Sequence, residues 1–276
     1  MKTLFRFLGK FMTVVVLLSV GTFATTAYAN HSWGGYHWAR NANPLNLKLD
    51  DNVSTIWDAR LAIASSDWSV SSVLNTTVTP GHTSSKTCRP VNGRVEVCNN
   101  KYGNNGWLGI ASIWVNGSHI TQGTVRLNDT YFNTAHYNTS AWRQFVVCQE
   151  VGHTFGLDHQ DEIFNNPNLG TCMDYTNDPN GALFGQLDNE HPNQHDYDQL
   201  EAIYAHLDTT TTALNKKSPA SANNIESSDI SANDIDTGDS SEWGKVVRKS
   251  RDGHSSLHER DLGKGNKIFT FVIWAD

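Results

Sequence analysis

The stretch Cys148-Gln149-Glu150-Val151-Gly152-His153-Thr154-Phe155-Gly156-Leu157-Asp158-His159 constrains the fold more than any other part of the chain. A helix is expected from Asn138 or Thr139 to about Phe155. On it Gln149, Glu150 and His153 share a face, because residues three and four apart lie one turn from each other. Gly156 can take a positive φ and end the helix in a sharp turn. That turn can fold His159 back towards the same point in space. The pattern therefore predicts converging polar side chains with a carboxylate beside them.

Other elements frame this helix. Leu45, Leu47 and Leu49 alternate as in a half-buried strand. Trp57, Leu61, Ala64 and Trp68 then recur at helical spacing behind Ser54 or Thr55 as N-cap. Val73 to Thr79 reads as a strand, 86–99 as a hairpin, and Trp107 to Val115 and Thr124 to Leu127 as strands about an Asn116-Gly117 turn. A last helix begins after His191-Pro192, with Tyr197, Leu200, Ile203, Tyr204 and Leu207 on one face. Residues 209–242 lack apolar periodicity and read as a disordered linker. Residues 243–276, ending Ile268-Phe269-Thr270-Phe271-Val272-Ile273-Trp274, read as a small β-rich appendage.

Residues 1–29 have the marks of a signal peptide. Lys2, Arg6 and Lys10 precede an apolar run from Phe11 to Val20, and Ala27-Tyr28-Ala29 offers a cleavage site. Export is therefore expected, leaving a main domain over 30–208. Loss of the three bases takes the net charge from −7 to −10. An acidic chain without a basic stripe disfavours nucleic acid as a partner. No stretch reaches the roughly 18 apolar residues of a membrane span. Four cysteines suit an oxidising compartment and allow three connectivities. The Asn92-Gly93 turn signal favours Cys88–Cys98, which leaves Cys148–Cys172.

The 149–159 stretch resembles the zinc signature of the metzincin metalloproteases, HExxHxxGxxH, with Gly170-Thr171-Cys172-Met173-Asp174-Tyr175 similar to their Met-turn. Among metzincins the chain is most similar to the matrixins, over about residues 33–208. One departure stands out: Gln149 occupies the place of the family's first histidine. The resemblance implies an α+β fold, a metzincin-like domain with a twisted, mainly parallel sheet, an active-site helix, a Met-turn and a C-terminal helix. It also implies a secreted zinc endopeptidase in which His153, His159 and Gln149 hold one Zn2+ and Glu150 is the general base. An amide oxygen is a weaker zinc donor than imidazole, so Gln149 should weaken the metal.

Further expectations follow from the same resemblance. Tyr175 is either an extra metal ligand or oxyanion donor, or an ordinary wall residue. Gly156 and Met173 are structural, and a Cys148–Cys172 bond would staple the helix to the Met-turn. A protein or peptide substrate should pair with the edge strand at Gly109, Ile110 and Ala111. The protein is expected to be a monomer. No latency cysteine of the matrixin kind precedes the domain, so loss of a long pro-segment is not expected. Carboxylates from Asp174 to Asp188 could hold Ca2+, although their spacing suits solvated turns better. His31, His37, His82, His119 and His136 are expected at the surface, with His136 as reserve ligand and His31 and His37 as candidate caps over the metal. The alternative function is a catalytically impaired metzincin-fold protein that binds peptides.

Overall fold

A computed structural model describes residues 31–214 and 234–275. The expected signal peptide and residues 215–233 of the expected linker lie outside the described residues. The elements run β1 (His37–Trp38), β2 (Leu45–Asn52), α1 (Thr55–Trp68), β3 (Leu74–Pro80), β4 (Val95–Asn100), β5 (Trp107–Asn116), β6 (His119–Asn128), α2 (Asp129–Phe132), α3 (Ser140–His153), α4 (Gln194–Ile203), β7 (Lys245–Lys249), β8 (Ser255–Gly263) and β9 (Asn266–Trp274). No helix among the described residues is long and apolar enough to cross a membrane.

The nine strands of the described residues form one sheet, ordered β3-β2-β4-β6-β5-β9-β8-β7, with β1 beside the start of β6. The β1/β6, β2/β3, β2/β4 and β4/β6 pairs are parallel. The β5/β6, β5/β9, β8/β9 and β7/β8 pairs are antiparallel. The sheet is thus mixed: parallel in its first half, as expected, and antiparallel where the C-terminal strands join.

Helices α1 and α3 pack together against one side of the sheet. Trp57, Leu61, Ala64 and Trp68 bury the apolar face of α1 as their spacing requires. The Trp68 indole donates to the Cys148 carbonyl at 3.1 Å, tying α1 to α3. Every residue of α3 from Ala141 to His153 is buried, so this helix is the centre of the domain.

Three expectations are corrected. Residues 86–99 form no hairpin: β4 lies between β2 and β6, both parallel to it, so its backbone groups are taken by distant partners. Gly93 still turns, with φ 78°, and the Cys88–Cys98 bond closes the loop. Both disulfides, Cys88–Cys98 and Cys148–Cys172, are present with Cα atoms 5.9 Å apart.

The second correction concerns the ends of the linker. Thr212 and Leu214 donate backbone bonds to Ala39 and Gly93. Ile235 packs with Trp114 and Ile268. Trp243 packs with Trp107, Ile110 and Val272. These few apolar side chains close the sheet face that the helices leave open.

The third is the appendage, which is continuous with the main sheet. Strand β9 pairs along the whole of β5, so Gly109, Ile110 and Ala111 lie opposite Ile273, Val272 and Phe271. The strand expected to be a free edge for substrate is an interior strand.

Candidate active site

Helix α3 is capped by Thr139, whose hydroxyl accepts from the Trp142 N–H at 3.1 Å. It ends at His153, and Gly156 follows at φ 96°. A Cβ on Gly156 would lie 2.1 Å from the Tyr36 carbonyl oxygen, so glycine is required both by φ and by space. The turn brings His159 back onto the helix end. His153 Nε2 and His159 Nε2 stand 2.9 Å apart.

Each ring is oriented through its other nitrogen. His153 Nδ1 lies 2.9 Å from the Leu157 carbonyl oxygen, which can only accept, so Nδ1 carries the proton. His159 Nδ1 lies 3.1 Å from Glu162 Oε1. Carboxylate and carbonyl partners of this kind orient metal-ligating imidazoles and leave Nε2 as the donor atom. Burial, and then the charge of His159, hold the His153 pKa well below its ordinary value. A neutral His153 is available as a ligand.

Gln149 and Glu150 are buried on α3, one turn before His153. The Gln149 amide donates to the Cys172 carbonyl at 3.0 Å, which leaves Oε1 buried without a hydrogen-bond partner. Glu150 Oε2 and the Tyr175 hydroxyl are likewise buried and unpartnered. Orphaned oxygens of this kind are rare in folded proteins. Burial pushes the Glu150 carboxyl well above its usual range. Burial, and then Glu150, push the Tyr175 phenol up as well, so Tyr175 stays a neutral donor. Two imidazole nitrogens, an amide oxygen and a carboxylate suit a divalent cation of borderline softness such as zinc. A cation there would also favour the Glu150 carboxylate that burial alone opposes.

The turn beneath is firmly held. Met173 N donates to Thr171 Oγ1 at 3.0 Å, Cys172 N donates to His191 O at 2.9 Å, and Thr171 Oγ1 donates to the buried Asp196. Gln160 N donates to Met173 O at 2.6 Å and Tyr175 N to Asp161 O at 3.1 Å, which ties the segment after His159 to this turn. The Tyr175 ring meets His159 edge to face at 4.6 Å. The Cys148–Cys172 bond closes the frame.

Other candidates fall elsewhere. His136 is exposed against Tyr137 and Trp142. His31 and His37 are buried, contrary to expectation. The His31 ring bonds the Asp158 carbonyl at 2.9 Å rather than reaching the centre, and His37 stands beside His119 and His206. Among the 174–188 carboxylates, Asp174 and Asp178 accept backbone N–H groups of Leu169 and Leu183, both at 2.8 Å, as turn residues do.

Sequence reasoning missed two residues. Phe271 of β9 lies flat on the His153 ring, with centroids 3.9 Å apart and planes 4° from parallel. Arg248 of β7 forks onto both Asp158 oxygens and reaches Glu162 Oε1 at 3.2 Å. Burial opposes the Asp158 charge, but the Arg248 guanidinium, with His159 and His153, outweighs it and holds the pKa down. Neither residue carried a local signal, because each acts across about 90 residues or more of sequence. An open cleft of about 400 Å³ lies alongside, between 162–165 and Arg251-Asp252. No family model and no curated protein matches the chain.

Proposed function

We propose that the chain is a secreted, zinc-dependent endopeptidase of the metzincin type, with His153, His159 and Gln149 as ligands and Glu150 as general base. One observation carries this reading. His153 and His159 face each other at 2.9 Å while the oxygens of Gln149, Glu150 and Tyr175 are buried without partners. Two disulfides and the helix–glycine–turn order agree with it.

Zinc, when bound, supplies a Lewis acid for a peptide carbonyl and makes water a better acid. The protein does the rest. Glu150 Oε2 takes a proton from water and returns it to the leaving amine. The Tyr175 hydroxyl donates to the oxygen on which charge develops. Met173 and the Cys148–Cys172 bond hold the floor of the site so that the ligands need little reorganisation.

A second reading, a binding protein on the same fold, is favoured by β9. That strand takes the β5 groups that an extended substrate would use. In the enzyme reading β9 must leave β5 for cleavage to occur.

Zinc content and casein cleavage by the full chain separate the two. The enzyme reading expects His153→Ala to lose about one zinc per chain, and Glu150→Gln to keep the zinc and lose cleavage. Cleavage by wild type equal to that of Glu150→Gln, at saturating zinc, would sink it.

A further inference from the structure

A second cluster of imidazoles lies at the other side of β1. His37 of β1 and His119 of β6 are register partners in a parallel pair. The segment after α4 adds His206 and Asp208. His119 Nε2 is 3.1 Å from Asp208 Oδ1, His206 Nε2 is 3.5 Å from the same oxygen, and His37 Nε2 is 3.8 Å from Oδ2. The His37 ring is edge-on to His119 at 4.9 Å and to His206 at 4.8 Å.

The tautomer of His37 is set. Its Nδ1 lies 2.8 Å from the Gly35 carbonyl oxygen, so Nδ1 donates and Nε2 presents a lone pair. That Nε2 is buried and has no hydrogen-bond partner, although the His37 side chain is only 7% exposed. Asp208 is itself positioned: its Oδ2 accepts the Arg40 N–H at 2.9 Å, and its own N–H donates to the Arg40 carbonyl at 2.7 Å. Asp208 Oδ2 already accepts from the Arg40 backbone, and at 3.8 Å it lies beyond hydrogen-bond reach of His37 Nε2. A fixed tautomer behind an open lone pair is how proteins prepare a histidine for a metal.

We propose that His37, His206 and Asp208, whose ligand atoms all lie within 4.8 Å of one another, hold a structural zinc ion independent of the one on α3, with His119 on Asp208 next to them as the fourth donor. Two imidazoles and one carboxylate are a zinc donor set, and His119, whose side chain is part-exposed and already on Asp208, closes the fourth position when the ion binds. Calcium and magnesium, which take oxygen ligands, do not suit this set. The ligands come from the first strand, the start of β6 and the end of the α4 segment, so one ion would clamp three distant parts of the chain. The clamp reaches the active-site helix. The Tyr204 hydroxyl donates to the Phe155 carbonyl at 2.9 Å, and the Trp38 indole donates to the Thr154 carbonyl at 2.9 Å.

The test uses the full chain carrying His153→Ala and His159→Ala, so that zinc on α3 is not counted. After dialysis against zinc and then buffer, this protein should retain about one zinc. The metal should raise its Tm by roughly 5 °C or more, as ligand linkage to the folded state requires. Adding His206→Ala should abolish both effects. The His206 side chain is 55% exposed, so its loss leaves the packing intact. Adding Asp208→Asn should weaken zinc binding at least roughly tenfold. Cobalt(II) should give the visible bands of a tetrahedral centre in the parent and not in the His206→Ala protein. Unchanged zinc content on adding His206→Ala, no retained zinc in the parent, or an equal Tm rise with calcium would each overturn the proposal. None of these readouts depends on peptide cleavage, so the endopeptidase reading stands or falls separately.

Discussion

The Phe271 ring lies parallel to the His153 imidazole at 3.9 Å, and the same phenyl is 5.7 Å from the His159 ring centre. It gets there because Phe271 is the register partner of Ala111 in β5. Thr270, one residue earlier, fixes that register from the other face, with its hydroxyl 3.2 Å from Ser112 Oγ. Trp33 meets Phe271 at 4.1 Å and Phe269 at 5.0 Å, extending the aromatic cover to the N-terminal segment. Arg248 adds a charged anchor on Asp158 and Glu162. The C-terminal strands therefore cover the candidate site with both apolar and ionic contacts.

Unseating that cover should expose the site. Phe271→Ala removes a buried ring whose loss costs about 3–5 kcal/mol in a core. If β9 opens as a unit, part of that cost shifts its equilibrium towards the open form, at tenfold per 1.4 kcal/mol. Zinc-supplemented casein cleavage should rise roughly 10- to 100-fold over wild type. Arg248→Gln should act in the same direction by less. An unchanged rate in both folded variants would show that β9 does not limit access.

Stability should depend on pH through Glu96 of β4. Burial, and then Asp50, lift its carboxyl to about 7, although Asn52 Nδ2 at 2.6 Å and the His82 N–H at 3.2 Å pull the other way. Asp50 faces it from β2, held by Arg94 and His82, both at 2.8 Å. The folded protein keeps the Glu96 proton over a range in which the unfolded chain has released it. The contribution is thus complete below about pH 4.5, the unfolded value, and is lost as pH rises through about 7. Glu96→Gln should flatten urea stability against pH in that window. An identical slope in the variant would rule Glu96 out as the cause.

Gly152 tests the packing of α3 on the turn that carries Met173. A Cβ there would lie 2.6 Å from Met173 Sδ and 2.7 Å from Trp68 Cζ2. Alanine gains about 1 kcal/mol of helix propensity, but overpacking costs about 1–3 kcal/mol. Met173 can shift. Trp68 is pinned by its bond to the Cys148 carbonyl, so overpacking should win. Gly152→Ala should lower Tm by a few degrees. A raised Tm would show that the indole yields.

How much of this was legible in the sequence differs by range of interaction. The helix α3, its end at Gly156 and the return of His159 follow from periodicity and one glycine. The pairing of Cys148 with Cys172 follows from a cysteine count and a turn signal, even though Asn92-Gly93 makes no hairpin. Strand β9 was visible as a strand, but its partner was not. Nothing local to Ile268–Trp274 encodes register against β5 more than 150 residues away. His37 and His206 are separated by 169 positions, and nothing in the sequence links them. Only the parallel pairing of β1 with β6 and the path after α4 bring them together.

Gln149 is the sharpest point of control in the site. Its amide spends Nε2 on the Cys172 carbonyl and keeps Oε1 free. Gln149→His replaces an amide oxygen by an imidazole nitrogen, a better zinc donor. Losing the Cys172 contact costs about 1 kcal/mol, far less than a third imidazole contributes to metal affinity. Zinc bound on α3 should therefore tighten at least roughly tenfold, read by competition with a chromogenic chelator in a His206→Ala background. Glu150 still supplies the base, so cleavage should rise at limiting zinc. Glu150→Gln should then cut cleavage by roughly 100-fold or more in either background while zinc stays bound. Zinc affinity unchanged by Gln149→His would mean that position 149 does not face the metal, and the ligand set would have to be drawn again around His153 and His159 alone.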